Sequence, residues 1–283
     1  MMLREVHVDE ITQKVKDMVM DAEYRLPEDF IKALETAEGF EESPIGKEII
    51  ETILQNAKVS STQQVAYCQD TGYPVFFVEV GQDVHITGGS IKDAINEGVR
   101  QATKEGYLRA SLAFDPVFER KNTGDNTPAL IYFDIVPGDK IKIKFAAKGG
   151  GSENQSKQMM LKPADGLEGV KKFVLKTIAN AGPNACPPFT VGVGIGGTFD
   201  YSAVLAKKAL FRPIGERHKD PRIAVLEEEL LSLANQLGVG PLGFGGTVTA
   251  VDVKIEIAPV HIASLPVAVN IQCHANRHNE IEI

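Results

Sequence analysis

Between Val251 and Ile257 the chain reads Val-Asp-Val-Lys-Ile-Glu-Ile, seven residues in strict apolar–charged alternation. Only a β-strand sends successive side chains to opposite faces, so this segment commits the chain to a sheet with one buried side. Ile141-Lys142-Ile143-Lys144-Phe145 repeats the pattern. In both, the apolar row is expected to face the core and the charged row (Asp252, Lys254 and Glu256; Lys142 and Lys144) to face water. The apolar runs Pro74–Val80, Phe189–Val193 and Val267–Gln272 suit further strands. The last of these is expected to be the final strand and to deliver Cys273.

Helical spacing fills much of the rest. Val8, Ile11, Val15, Met18 and Val19 recur at helical intervals, and Ile31, Leu34 and Ala37 do so after Pro27. Ile45, Ile49, Ile50, Ile53 and Leu54 mark a third helix over about 44–57. Ser90 with Asp93 resembles a capping box and opens a helix lasting to about Gly106. Three more are expected near 167–180, 200–210 and 222–237. Gly182-Pro183 stops the first of them, since glycine accepts a left-handed turn and proline cannot continue a helix. The mixture predicts an α+β fold, a helical N-terminal section followed by a mixed or antiparallel sheet with packed helices. Without repeats, low-complexity tracts or long linkers, one catalytic domain over 1–283 is expected, with a helical sub-region 1–60 and an α+β sub-region 61–283.

Composition narrows the function. Thirty Lys plus Arg stand against 38 Asp plus Glu, a net charge of −8. That disfavours a broad nucleic-acid footprint, which needs clustered cations. No apolar run approaches the ~20 residues of a membrane span. The opening Met-Met-Leu-Arg-Glu-Val-His carries charges where a secretion signal needs an apolar stretch. The expectation is a cytoplasmic chain with reduced thiols and neither a membrane nor a nucleic-acid partner.

Three cysteines stand out by their surroundings. Cys68 lies in the polar turn Tyr67-Cys68-Gln69-Asp70-Thr71-Gly72, Cys186 in Asn184-Ala185-Cys186-Pro187-Pro188, and Cys273 at a strand end before His274 and His278. Cytosolic cysteines are usually small buried hydrophobes, yet none of these occupies an apolar position in a periodic segment. Three is an odd count for a disulfide framework, and the Cys-x₂-Cys pairs of the usual structural zinc site are missing. Zinc on three separated thiolates and a histidine stays open. A [4Fe–4S] cluster fits better, because thiolates hold its irons and three of them leave one iron open as a Lewis acid.

Asp70 and Gln69 would lie beside any metal at Cys68. Arg109, in Leu108-Arg109-Ala110-Ser111, suits a two-pronged clamp on a substrate carboxylate, or equally a helix-end surface cation. Lys148-Gly149-Gly150-Gly151-Ser152-Glu153-Asn154 follows a strand and reads as an anion-binding glycine loop or a flexible connector. His261, His274 and His278 fit structural roles as readily as functional ones. Gly192-Val193-Gly194-Ile195-Gly196-Gly197 matches the outline of a dinucleotide turn, which would make the chain an NAD(P)-binding oxidoreductase. It lacks a following strand that ends in an acidic residue, so a glycine loop packed at a cluster or subunit contact is preferred.

In their joint order these motifs resemble a known family over nearly the whole chain. They are Cys68-Gln69-Asp70-Thr71-Gly72, Leu108-Arg109-Ala110-Ser111, Asp115-Pro116, Arg120-Lys121-Asn122-Thr123, Asp125-Asn126-Thr127-Pro128 and the Lys148–Asn154 run. Asn184–Pro188, Gly192–Thr198, Pro259-Val260-His261 and Gln272-Cys273 complete the set. The chain resembles the α subunit, or N-terminal module, of the class I iron–sulfur fumarate hydratases and the related L-tartrate dehydratases. The resemblance implies a hydro-lyase with a [4Fe–4S] cluster on Cys68, Cys186 and Cys273, one iron being open to substrate. It implies Asp70 as a proton-transfer group, with Gln69, Arg109, Gly150, Gly151 and His261 lining a small dicarboxylate pocket. Interconversion of fumarate and (S)-malate is the first expectation, and L-tartrate dehydration the alternative. A separate β subunit would supply the general base and further carboxylate-binding residues in a hetero-oligomer, since a chain ending soon after its third cysteine matches the first module only.

Overall fold

The computed structural model describes residues 3–283. The chain opens with β1 (Arg4–His7), α1 (Val8–Tyr24), α2 (Glu28–Phe40) and α3 (Pro44–Gln63). There follow β2 (Tyr73–Gly81), β3 (Val84–Thr87), α4 (Ile91–Glu105), β4 (Leu130–Val136), β5 (Ile141–Lys148), α5 (Gly150–Gln155) and β6 (Lys157–Leu161). The last part holds α6 (Gly166–Ala181), β7 (Phe189–Gly197), α7 (Phe199–Ala209), α8 (Pro221–Asn235), β8 (Ala250–Val260), β9 (Leu265–Gln272) and β10 (His278–Glu282). The fold is α+β, as expected. Two compact units interleave along the sequence: one takes the chain up to Pro27, Asn56–Gly150 and Arg277–Ile283, the other Glu28–Gln55 and Gly151–Asn276. The N-terminal helices are therefore shared out between them, α1 to the first unit and α2 to the second.

In the first unit the sheet order is β10-β5-β2-β4, with β5 antiparallel to both neighbours and β2 parallel to β4. Alternation in β5 works as expected: Ile141, Ile143 and Phe145 are buried, while Lys142 and Lys144 reach Glu280 on β10. α1 and α4 cover this apolar face with Ile11, Val15, Met18, Ile95 and Val99. They approach closely because position 98 is glycine; a Cβ there would stand 2.7 Å from Val15 Cγ1 and 2.8 Å from the Thr12 carbonyl. Ile143→Ala in such a core costs about 2–5 kcal/mol.

In the second unit the order is β6-β9-β7-β8, β7 running parallel to β8 and antiparallel to β9. Val191, Val193, Val253, Ile255, Val269 and Ile271 pack against α6 and α8. The opposite face of β7 carries Gly192 and Gly194, on which α7 lies. A Cβ at either glycine would come within 2.0 Å of a helix carbonyl, that of Ala206 or Ser202. Both the dinucleotide-turn reading of Gly192–Gly197 and the glycine-loop reading are thereby corrected. The run is the strand itself, and its glycines admit backbone-to-backbone helix packing instead of cradling a pyrophosphate.

The alternation in β8 also needs correction. Val253 and Ile255 face the core, but Asp252 and Lys254 are fully buried too. β8 is an edge strand, and the chain between α7 and α8, together with α8, folds over it. The Arg217 guanidinium bonds Asp252 at 2.8 Å and the Val253 carbonyl at 3.1 Å. The Glu227 carboxylate accepts the Ile255 N–H at 2.8 Å and pairs with Arg212. Lys254 donates to the Arg212 carbonyl. Burial pushes the Lys254 ammonium down to about 8, against the pull of Asp252 and Asp29. A charged row in a strand records polarity, and the cover that removes it from water is supplied from elsewhere in the chain.

Five strands go beyond the expected set: β1, β3, β4, β6 and β10. β10 follows Cys273, so Val267–Gln272 is not the last strand.

Candidate active site

In the first unit the Cys68–Gly72 turn is built by its own polar groups. Asp70 Oδ1 accepts the Gly72 N–H at 2.9 Å, and Asp70 Oδ2 accepts the Gly150 N–H at 2.8 Å. Gly72 has φ +70°, and a Cβ on it would meet the Lys148 backbone at 2.8 Å. Only glycine meets both demands. Thr71 Oγ1 donates to the Arg109 carbonyl and lies 3.2 Å from Ser111 Oγ. Asn126 completes the frame, accepting the Ser111 N–H at 2.8 Å and donating to the Gly72 carbonyl at 3.2 Å. Cys68, Gln69, Asp70, Arg109 and Gly150 are thus brought onto adjoining segments, with Gln69 and Arg109 exposed and Cys68 and Asp70 half-buried. The glycine run is not a loose connector. Gly150 starts α5, and its N–H is already given to Asp70.

Behind this turn lies a buried ion pair that no sequence motif marks. Arg277 donates to Glu23 Oε2 at 2.7 Å, and both side chains are about 1–2% exposed. Burial pushes the Glu23 carboxyl up to about 7, even though Arg277 pulls it down; Asp70 adds a smaller upward push. A sequence signal for Glu23 exists: Ile11, Val15, Val19 and Glu23 fall at successive i+4 positions on the buried stripe of α1. Arg277 has no comparable local signal.

The second unit holds the other two cysteines. Cys186 adopts the left-handed conformation (φ 52°, ψ 69°) between a single 3-10 turn and a cis Pro187-Pro188 bond. Such a backbone is uncommon for a side chain with a Cβ and concentrates at functional sites. The His274 N–H donates to the Cys186 carbonyl at 3.1 Å, which ties the residue after Cys273 to Cys186 itself. Gly151 packs by the same loop: a Cβ on it would lie 3.1 Å from the Asn184 carbonyl. His261 stands exposed at the β8–β9 turn, with Nδ1 accepting the Ala263 N–H at 3.2 Å. With Nδ1 taken up as an acceptor, Nε2 is the ring nitrogen left to donate.

None of the three cysteines forms a disulfide. Among the described residues no three His, Cys, Asp or Glu side chains converge as a ready-made metal site. The fit of the donor set to an iron–sulfur cluster rests on its chemistry. It offers three thiols, each in a polar turn or at a strand end, two of them on segments bonded to each other and one in a strained backbone position. Among the described residues no helix is long and apolar enough to cross a membrane.

The family described as fumarate hydratase (Fumerase) matches residues 12–282. A Methanocaldococcus jannaschii protein provisionally named L(+)-tartrate dehydratase subunit alpha is 48% identical over 271 residues, covering 94% of this chain and 95% of its own. An Escherichia coli protein named L(+)-tartrate dehydratase subunit alpha is 37% identical over 279 residues, covering 98% of this chain and 91% of its own. A Shigella sonnei protein of the same name is 36% identical over 277 residues, with 97% and 91% covered.

Proposed function

The chain belongs to the fumarate hydratase (Fumerase) family and is a hydro-lyase, and from that premise we propose that it is the α subunit of an L(+)-tartrate dehydratase, active with a separate β subunit. The observation that carries this reading is near-full-length similarity to proteins bearing that name. It reverses the order expected from sequence, in which fumarate and malate came first. The fumarate–malate reaction stays as the second reading, favoured by the family's description.

Elimination of water from a 2-hydroxy dicarboxylate has two difficulties: the C–H proton is weakly acidic and hydroxide leaves badly. In our reading Cys68, Cys186 and Cys273 hold a [4Fe–4S] cluster, which when bound supplies a Lewis-acidic iron that makes the hydroxyl a better leaving group. The remaining work falls to the chain and its partner. Asp70, held by the Gly72 and Gly150 N–H groups, is positioned to pass a proton to or from the departing oxygen. The exposed Arg109 fork suits a substrate carboxylate, and the His261 Nε2–H, the Gln69 amide and the Gly151 N–H suit its remaining oxygens. The β subunit supplies the base that takes the carbon-bound proton. A reducing, cytoplasmic setting is consistent with three thiols outside disulfides.

The test is turnover by the α chain mixed with its β subunit after anaerobic reconstitution. L-tartrate is expected to give a kcat/KM at least about tenfold above that for (S)-malate, since a site built to bond a second hydroxyl discriminates against its absence. The reverse preference moves the assignment to fumarate hydratase.

A further inference from the structure

The Glu23–Arg277 pair is a fully buried ion pair of the first unit that the proposed chemistry leaves unused. Its backbone and side-chain bonds form a circuit. Tyr67 N–H donates to the Glu23 carbonyl at 2.9 Å, just ahead of Cys68. Glu23 Oε2 accepts from Arg277 at 2.7 Å, and the Arg277 carbonyl accepts the Ala147 N–H at 3.0 Å. From Ala147 three residues of chain lead to Gly150, whose N–H donates to Asp70 Oδ2; from Asp70 three residues of chain lead back to Tyr67. Every link is short, and the ion pair is shielded from solvent and salt, where a charge-assisted bond is strong. An exposed pair would hold little.

We infer that Glu23 and Arg277 are positioning residues for Asp70: the pair clamps the Tyr67 and Ala147 segments of the circuit so that the Asp70 carboxylate meets the Gly150 N–H in one orientation. The inference rests on the hydro-lyase reading for what Asp70 does, but the clamp itself is a property of the folded chain. Proton transfer is steep in distance and angle, so loosening the clamp lowers the rate of the chemical step more than substrate binding. A merely structural pair would act through fold stability or iron content instead.

The deciding variant is the double replacement Glu23→Leu with Arg277→Met. Removing one partner alone strands a buried charge, whereas apolar replacement of both is often neutral for folding. Two readouts are needed. In the isolated α chain, deuterium exchange in peptides spanning 67–72 and 147–151 is expected to quicken at least about tenfold, with α4 and residues 141–145 of β5 unchanged. In the reconstituted complex, kcat is expected to fall at least about tenfold, with KM within about threefold and iron per chain unchanged. Glu23→Gln, which keeps an acceptor for Arg277, is expected to restore most of both. Wild-type exchange protection, wild-type kcat, or a rate loss that follows iron loss overturns the inference. An inactive wild-type complex overturns the hydro-lyase reading instead and leaves the exchange result standing.

Discussion

The His274 N–H donates to the Cys186 carbonyl at 3.1 Å, so two cysteines 87 positions apart in sequence (Cys186 and Cys273) sit on directly bonded segments of one unit. Cys186 is held in a left-handed backbone by a flanking turn and two prolines. Cys→Ala at 186 or 273 is therefore expected to leave the chain folded, since neither thiol contributes to the apolar core. Iron bound after anaerobic reconstitution, measured per chain, is expected to fall by more than half in each. Unchanged iron in either variant removes that residue from the ligand set.

Gly194→Ala tests the corrected reading of the glycine run. The added Cβ would lie 2.0 Å from the Ser202 carbonyl, and because both atoms belong to backbone or its first carbon, α7 must move. Overpacking of this kind costs about 1–3 kcal/mol or more. A lower urea midpoint is the expected result, alongside calorimetric silence of the wild type toward NAD and NADP. Heat from either cofactor revives the oxidoreductase reading.

Glu41 is a buried carboxylate that accepts the N–H groups of Ser43, Thr247 and Val248 at 2.8, 2.9 and 2.7 Å. Burial pushes its pKa up, but these donors outweigh burial and hold it below the ordinary range. A carboxyl lowered on folding contributes stability above its unfolded pKa and loses it as pH falls through the folded value. Glu41→Ala is expected to cost about 2–4 kcal/mol at neutral pH and to flatten the acid side of the Tm–pH curve. An unchanged acid limb contradicts the assignment.

Glu23 has the opposite sign. Burial raises its pKa to about 7 despite Arg277, so the folded chain holds this proton where the unfolded chain releases it. The stabilisation from the proton is full below the unfolded value and is lost as pH rises through about 7. Relative to Glu23→Gln, the wild type is expected to lose Tm between about pH 5 and pH 8. A constant difference across that range shows that Glu23 does not titrate there.

Much of the fold was legible because most elements carry a clean period. The i+4 row of α1, the capped start of α4 and the alternation of β5 each answer to local physics and appear where expected. What escaped depended on distant cover. Asp252 and Lys254 look solvent-facing until Arg212, Arg217 and Glu227 close over the sheet edge. β4, Leu-Ile-Tyr-Phe-Asp-Ile-Val, has no alternation to report its strand, because its register is set by parallel pairing with β2. Among the candidate residues, Cys68 and Asp70 in a polar turn, Arg109 after a helix, Cys186 in a proline-rich loop and Cys273 at a strand end were visible as reactive types. The Gly150 N–H was not, because its commitment to Asp70 is a tertiary bond 80 residues long. Glu23 was visible in principle, as a charge continuing an apolar stripe.

The most direct measurement is iron and turnover together, on the α chain reconstituted anaerobically with iron and sulfide and mixed with its β subunit. A three-thiolate [4Fe–4S] centre predicts brown protein with about four irons per α chain, L-tartrate dehydration in the complex, and loss of both colour and activity in air. A colourless chain that binds no iron under argon, or a complex whose dehydration proceeds undiminished without it, contradicts the central claim.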